Sequence, residues 1–243
     1  MNMSGKIRIG LLSPEGTDSR HFRNFENVLP PAIQFTMEGL NLIRTSRYDL
    51  KNQADYVIQR ARDYVARQSL QGLIVTGAPL AILNPGLEEK VSQAVEIPVV
   101  TAVSSAIAAL NAVGAKRLVV MTPFDEAMNQ NLLALLESAG FAALACPPFE
   151  DQTIGAGAKI APEELLSRTV RVFREAGIAD AIYFQGARLD PLPIIEKLEE
   201  KLGVAVIASN PAMLWHLLSR LGQKCSTKGY GRLLADWPAL ARD

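Results

Sequence analysis

Cysteine and histidine are scarce in this chain, two of each among 243 residues. Cys146 and Cys225 are too few for a disulfide framework or a thiolate-rich metal site. His21 and His216 lie far apart with neither HxxxH nor HExxH spacing, so a zinc hydrolase is not expected, nor any other metal site. A surplus of one charge is also missing: 25 Lys plus Arg balance 25 Asp plus Glu. Nucleic acids and anionic membrane surfaces both select basic proteins, so neither is an expected partner. No apolar run reaches the roughly 18 residues of a spanning helix, and the opening residues carry no secretory apolar core. The chain reads as soluble and cytoplasmic. What is present is apolar material: 49% of residues are hydrophobic against 21% charged, enough to bury a real core in one or two domains.

That material is ordered. Short β-branched runs alternate with longer amphipathic stretches, the pattern of an α/β fold with parallel strands covered on both faces. Strands are expected at Ile7–Leu12, Leu40–Thr45, Leu73–Thr76, Pro98–Thr101, Leu118–Met121, Ala142–Cys146, Ala181–Phe184 and Ala205–Ala208. Helices are expected at Gln53–Arg67, Leu87–Val95, Ser105–Val113, Glu126–Ala139, Glu163–Ala176, Ile194–Leu202 and Ala212–Leu221.

The sequence also repeats itself. Arg8-Ile9-Gly10-Leu11-Leu12-Ser13-Pro14 matches Arg117-Leu118-Val119-Val120-Met121-Thr122-Pro123, and Val75-Thr76-Gly77-Ala78 matches Phe184-Gln185-Gly186-Ala187, both at an offset of 109 residues. Ile97–Thr101 resembles Val204–Ser209 with a one-residue slip. The repeat implies two pseudo-symmetric α/β lobes, an N-terminal one of residues 1–114 plus 215–243 and a C-terminal one of 115–214. Strand C-terminal ends would then face a shared cleft, where open parallel sheets bind ligands.

Loops at those ends supply the candidate site. Gly77 and Gly186 permit close backbone approach and leave amides for a carboxylate or an oxyanion, although each alone is an ordinary strand-to-helix turn. Ser104-Ser105 and Ser209-Asn210 stand as N-caps of the helices that follow. Arg188 is suited to clamping a carboxylate. Glu15 and Asp125 occupy nearly matching loop positions, as facing carboxylates for acid–base work would. Phe124, Pro79 and Leu80 suggest an apolar wall for an aryl or alkyl substituent, lobe core being the commoner fate of such side chains. His216 lies in a helical run as a packed or surface residue. The long polar stretch around His21, before Pro30-Pro31, reads as a lid.

At these loops, and in Arg8-Ile9-Gly10-Leu11, Leu202-Gly203-Val204 with Ser209-Asn210-Pro211-Ala212-Met213-Leu214-Trp215, and the tail Gly229-Tyr230-Gly231-Arg232-Leu233-Leu234, the sequence resembles the aspartate/glutamate racemase superfamily. It looks closest to the branch of arylmalonate decarboxylases and maleate cis-trans isomerases, over nearly the whole chain from Arg8 to Leu234. The resemblance implies two pseudo-symmetric parallel-sheet lobes and no cofactor. It also implies a small carboxylic acid as substrate, and a homo-oligomer is compatible with it. The superfamily flanks its substrate with two cysteines, of which decarboxylases keep the second. Those positions fall on Gly77 and Gly186. Racemisation needs an acid and a base on opposite faces and maleate-type isomerisation needs a thiolate, neither of which glycine supplies, so both are disfavoured.

Decarboxylation tolerates the loss best, because its enediolate mainly demands hydrogen-bond donors. The family's donors match Ala78, Pro79, Phe124 and the amides near Ala187, and here the hydroxyls at 78, 79 and 124 are gone too. Replacements are sought among Ser13, Thr17, Thr76, Gln185 and Arg188. The expected function is a decarboxylase-like, cofactor-independent lyase. Glu15, Gln185 and Arg188 are its candidate catalytic residues. Ser13, Thr76, Gly77, Ala78, Pro79, Phe124, Gly186, Ala187, Ser209 and Asn210 would bind the acid. The alternatives are a non-catalytic carboxylate-binding relative and a maleate isomerase- or racemase-like isomerase.

Overall fold

The computed structural model describes residues 6–16, 28–151, 156–186 and 188–241. The N-terminal half runs β1 (Ile7–Ser13), β2 (Ile33–Gly39), α1 (Ala54–Gln68), β3 (Gly72–Val75), α2 (Ala78–Leu83), α3 (Leu87–Val95), β4 (Val99–Thr101) and α4 (Ala102–Ala112). The C-terminal half follows with β5 (Arg117–Met121), α5 (Glu126–Ser138), β6 (Ala142–Ala145), α6 (Pro162–Glu175), β7 (Ala181–Phe184), α7 (Ile195–Leu202), β8 (Ala205–Ala208), α8 (Ser209–Arg220) and α9 (Arg232–Asp236). No helix among the described residues is long and apolar enough to cross a membrane.

Each half builds one four-stranded sheet in the same order, β2-β1-β3-β4 and β6-β5-β7-β8. Every pairing is parallel. The repeat is legible in the register itself. Ile9 pairs with Gly72 as Leu118 pairs with Ala181, and Leu12 with Val75 as Met121 with Phe184, all at the offset of the sequence repeat. The fold is therefore two pseudo-symmetric α/β lobes.

Alternation along the strands sorts side chains between cores. Ile9, Leu11, Ile74, Leu118, Val120, Tyr183 and Ile207 enter one core shared by the lobes. Leu12, Leu73, Val75 and Val99 face an outer core of the first lobe, and Val119, Met121, Ile182 and Phe184 that of the second. Helix α8 is buried from Pro211 to Leu218 and lies against α4 in the shared core, which is why it is apolar around nearly its whole circumference. His216 is buried there too, its Nδ1 3.2 Å from Ser105 Oγ.

Three expectations are corrected. The second strand is Ile33–Gly39, not Leu40–Thr45. It is an edge strand, so its signal is the alternation Ile33-Gln34-Phe35-Thr36-Met37-Glu38 rather than a continuous apolar run. Residues 40–45 instead form a crossing strap, stitched to the end of β1 by Leu40 N–H to Ser13 O (2.8 Å) and Leu42 N–H to Pro14 O (2.8 Å). Secondly, Thr101, not Ser104-Ser105, caps α4. Its side chain accepts from Ser104 N–H in a capping box. Thirdly, Ala208 occupies the N-cap of α8, so Ser209 and Asn210 are already helical.

Candidate functional site

The two halves present matching turns to one another. After β1, Glu15 N–H donates to Ser13 Oγ (3.1 Å); after β5, Phe124 N–H donates to Thr122 Oγ1 (3.2 Å). These hydroxyls, both fully buried, fold the chain back over Pro14 and Pro123. The prolines abut the glycines that end β3 and β7. A Cβ on Gly77 would lie 2.7 Å from Pro14 Cγ, and one on Gly186 2.8 Å from Pro123 Cδ, with φ of +91° and +108°. A side chain at either glycine is opposed twice, by left-handed backbone and by the proline. The matched turns make the partner of Glu15 Phe124, not Asp125. Asp125 is instead the N-cap of α5, its Oδ1 accepting from Met128 N–H (2.9 Å) and from the Tyr48 hydroxyl (2.8 Å). The facing-carboxylate expectation therefore fails, because one member is consumed by capping.

Between the turns lies a narrow cleft that encloses about 60 Å³ and opens to solvent. Glu15, Ser13, Thr76, Gly77, Ala78, Pro79, Phe124, Gln185, Gly186, Arg188 and Ser209 all line it, as do Arg47, Ile43 and Leu50. Asn210 does not; it borders a smaller depression with Leu189 and Pro191. Leu80 belongs to the outer core of the first lobe. Ala187, Thr17 and His21, with the lid expected around it, lie outside the described residues.

Three ionisable side chains, Glu15, Arg47 and Arg188, line the cleft. Arg188 Nη2 meets Glu15 Oε1 at 2.9 Å, with Nε 3.2 Å from the same oxygen, an ion pair reaching from one lobe to the other. Arg47 approaches from the short 3₁₀ turn Arg47–Leu50, its guanidinium carbon 5.8 Å from the Phe124 ring centroid. Burial, and then the neighbouring Arg188 charge, push the Arg47 guanidinium below its ordinary pKa. Two cations and one carboxylate give the lining a positive excess, which suits an anionic ligand.

Sequence reasoning missed Arg47, having read the segment before it as a strand. The available signal was Ser46 followed three residues on by Asp49, which form a capping box at this turn. Asp49 Oδ2 accepts the N–H groups of Arg44 (2.9 Å), Thr45 (2.9 Å) and Ser46 (3.0 Å). Those bonds, Ser46 first, hold its carboxyl below the usual aspartate value and fix the turn that carries Arg47.

Polar groups at the cleft floor come from the strand ends. Gln185 follows β7, and its Oε1 accepts from the Tyr183 hydroxyl. Thr76 holds the corresponding place after β3 and is buried. The thiols lie elsewhere. Cys146 is buried at the end of β6 with Sγ 3.9 Å from Thr122 O, and burial pushes its thiol pKa up; Cys225 is shifted the same way for the same reason. Neither lines the cleft. Among the described residues no cluster of three or more His, Cys, Asp or Glu side chains is arranged to hold a metal ion.

Comparison with known proteins places this geometry in context. A family model described as arylmalonate decarboxylase matches residues 10–234. Arylmalonate decarboxylase of Bordetella bronchiseptica is 27% identical over 210 residues, covering 84% of this chain and 88% of that protein. A liganded arylmalonate decarboxylase in which a glycine is exchanged for cysteine and a cysteine for serine superposes with a TM-score of 0.82 at 23% identity, over 95% of this chain and 99% of that one. The maleate isomerase of Pseudomonas putida superposes with a TM-score of 0.81 at 18% identity, over 95% and 99%; likeness at these identities speaks for the fold.

Proposed function

Because the chain belongs to the arylmalonate decarboxylase family, we propose that it is a cofactor-independent lyase that removes CO₂ from a small malonate-type acid through an enediolate. One observation carries the reading: the interlobe cleft is lined both by groups that attract an anion, Arg188, Arg47 and Gln185, and by apolar side chains, Ile43, Leu50, Pro79 and Phe124, with Arg47 lying over the Phe124 ring. In this reading the retained carboxylate competes with Glu15 for Arg188. The departing carboxylate packs among Ile43, Leu50 and Pro79, where poor hydration favours neutral CO₂ over the anion.

The carbon–carbon bond then breaks and its electron pair enters the enediolate. Arg188, the Gln185 amide and the backbone N–H groups of Gly77, Ala78 and Gly186 meet the two oxygens. Each such donor is worth about 3 kcal/mol in comparable oxyanion sites. Glu15, the carboxyl group lining the cleft, hands a solvent-derived proton to the α-carbon. This role replaces the family thiol, which Gly77 and Gly186 cannot supply.

A second reading rests on the lining itself. Ala78, Pro79 and Phe124 carry no hydroxyl where the resembling enzymes place donors, which favours a carboxylate-binding protein without turnover. Proton NMR in D₂O with a panel of aryl- and alkylmalonates, maleate and aspartate separates the two. The lyase reading expects loss of a carboxylate from a malonate and a fall of about a hundredfold in kcat/KM for Arg188→Ala. Silence across the panel with line-broadening of one acid would favour the binder, and an unchanged Arg188→Ala variant would remove Arg188 from the mechanism.

A further inference from the structure

Strand β7 is Ala181-Ile182-Tyr183-Phe184, and its central tyrosine is fully buried in the core shared by the lobes. A buried hydroxyl lowers stability unless it is hydrogen-bonded. The corresponding position of the first lobe, at the repeat offset, is Ile74, which packs in the same shared core without any polar atom. The sheet therefore does not require a hydroxyl at this point. The Tyr183 hydroxyl donates to Gln185 Oε1. Side chains two residues apart along an extended segment project to the same face, and Gln185 is the next residue on that face, at the mouth of the strand and in the cleft lining.

A carboxamide has a donor end and an acceptor end of almost equal size, and its terminal torsion is broad. Left alone at the cleft floor, Gln185 can present either end to a ligand. Facing an anionic oxygen, Oε1 repels and Nε2 attracts. The Tyr183 hydroxyl, fully buried, decides between them: donating to Oε1 satisfies its hydrogen, whereas accepting from Nε2 would leave that hydrogen buried without an acceptor. Burial pushes its pKa far above the ordinary phenol value, so it stays a neutral donor across the working pH range. Nε2 has no hydrogen-bond partner among the described residues and remains the polar end available to the cleft.

We infer that Tyr183 is a positioning residue that locks the Gln185 carboxamide with its Nε2 donors toward the acid's oxygens in the cleft. The inference rests on the proposed role of Gln185 as a donor to the acid and its enediolate. It deepens that reading by naming what orients the donor.

The test is a double-mutant cycle in the full-length protein with Tyr183→Phe, Gln185→Leu and both together. Steady-state decarboxylation and NMR titration with phenylacetate, an unreactive monocarboxylate, are the readouts. Thermal melting reports folding. Gln185→Leu is expected to lower kcat about a hundredfold, and Tyr183→Phe about tenfold with a smaller change in KM. The double variant should be no slower than Gln185→Leu alone, because the hydroxyl acts only through the amide. Equal factors for Tyr183→Phe with and without Gln185→Leu would overturn the positioning role, as would an unchanged kcat in Tyr183→Phe.

An unchanged Gln185→Leu would overturn the donor role of Gln185 itself, and the inference with it. If no acid turns over, the same cycle is read in the phenylacetate affinities. Non-additive losses there support the positioning role, and additive ones overturn it. Should Tyr183→Phe not fold, Gln185→Asn serves instead. Its shorter amide keeps the donor but leaves the reach of the hydroxyl, so it should lose activity as Gln185→Leu does; full activity would contradict the inference.

Discussion

At the scale of single residues, the cleft is defined by what its two glycines forbid. Gly77 and Gly186 stand where the resemblance places the superfamily's two cysteines, of which decarboxylases keep the second, each with positive φ and a proline within 3 Å of any added Cβ. Restoring the thiol is therefore costly here. Gly186→Cys is expected to lower stability by about 1–3 kcal/mol, read as a fall in Tm of several degrees. An unchanged Tm would mean that Pro123 yields freely and that the glycine is not a conformational requirement. Sequence alone made Glu15 and Arg188 visible, because charged residues just past parallel strands point at the cleft end of a sheet. It could not separate Asp125 from Glu15. Both sit in the same kind of loop, and only the positions of the backbone N–H groups reveal that Asp125 is spent on capping α5 and on Tyr48.

At the scale of elements, the least legible piece is the strap between β2 and α1. Its apolar residues imitate a strand, yet Leu40 packs into the outer core and Leu42 and Ile43 pack partly against it. They do not join the sheet, because the Leu40 and Leu42 N–H groups turn instead to Ser13 O and Pro14 O at the end of β1. The strap is held by Asp49, whose carboxylate gathers three N–H groups. A carboxyl whose folded-state pKa is depressed stabilises its surroundings above the ordinary aspartate value of 3.8 and loses that effect as pH falls through the lower folded value. Between pH 5 and pH 8 the strap, and the Arg47 it carries, should stay in place. Asp49→Ala should weaken carboxylate binding several-fold throughout that interval, as measured by NMR titration. Equal affinity in the variant would show that Arg47 is held by other contacts or does not reach the acid.

At the scale of the molecule, the repeat in the sequence foretold the architecture, because each copy carries its own strand order and the two share one register offset. The strands at Ala181–Phe184 and Ala205–Ala208, and the helix at Leu87–Val95, were readable to the residue, each being an isolated apolar or amphipathic run between clear turns. What symmetry cannot foretell is the asymmetry that gives the cleft its chemistry. At the repeat offset Glu15 corresponds to Phe124, Thr76 to Gln185 and Ile74 to Tyr183, and in each pair the two lobes place different chemistry. Arg47 has no counterpart in the repeat and enters from a turn. No step of the proposed catalytic cycle needs a thiol. The most direct test is decarboxylation in D₂O, followed by proton NMR, comparing the unaltered protein with the Cys146→Ala, Cys225→Ala double variant. Equal turnover in both, with one deuterium at the α-carbon of the product, is expected; loss of turnover on removing the two thiols would contradict it.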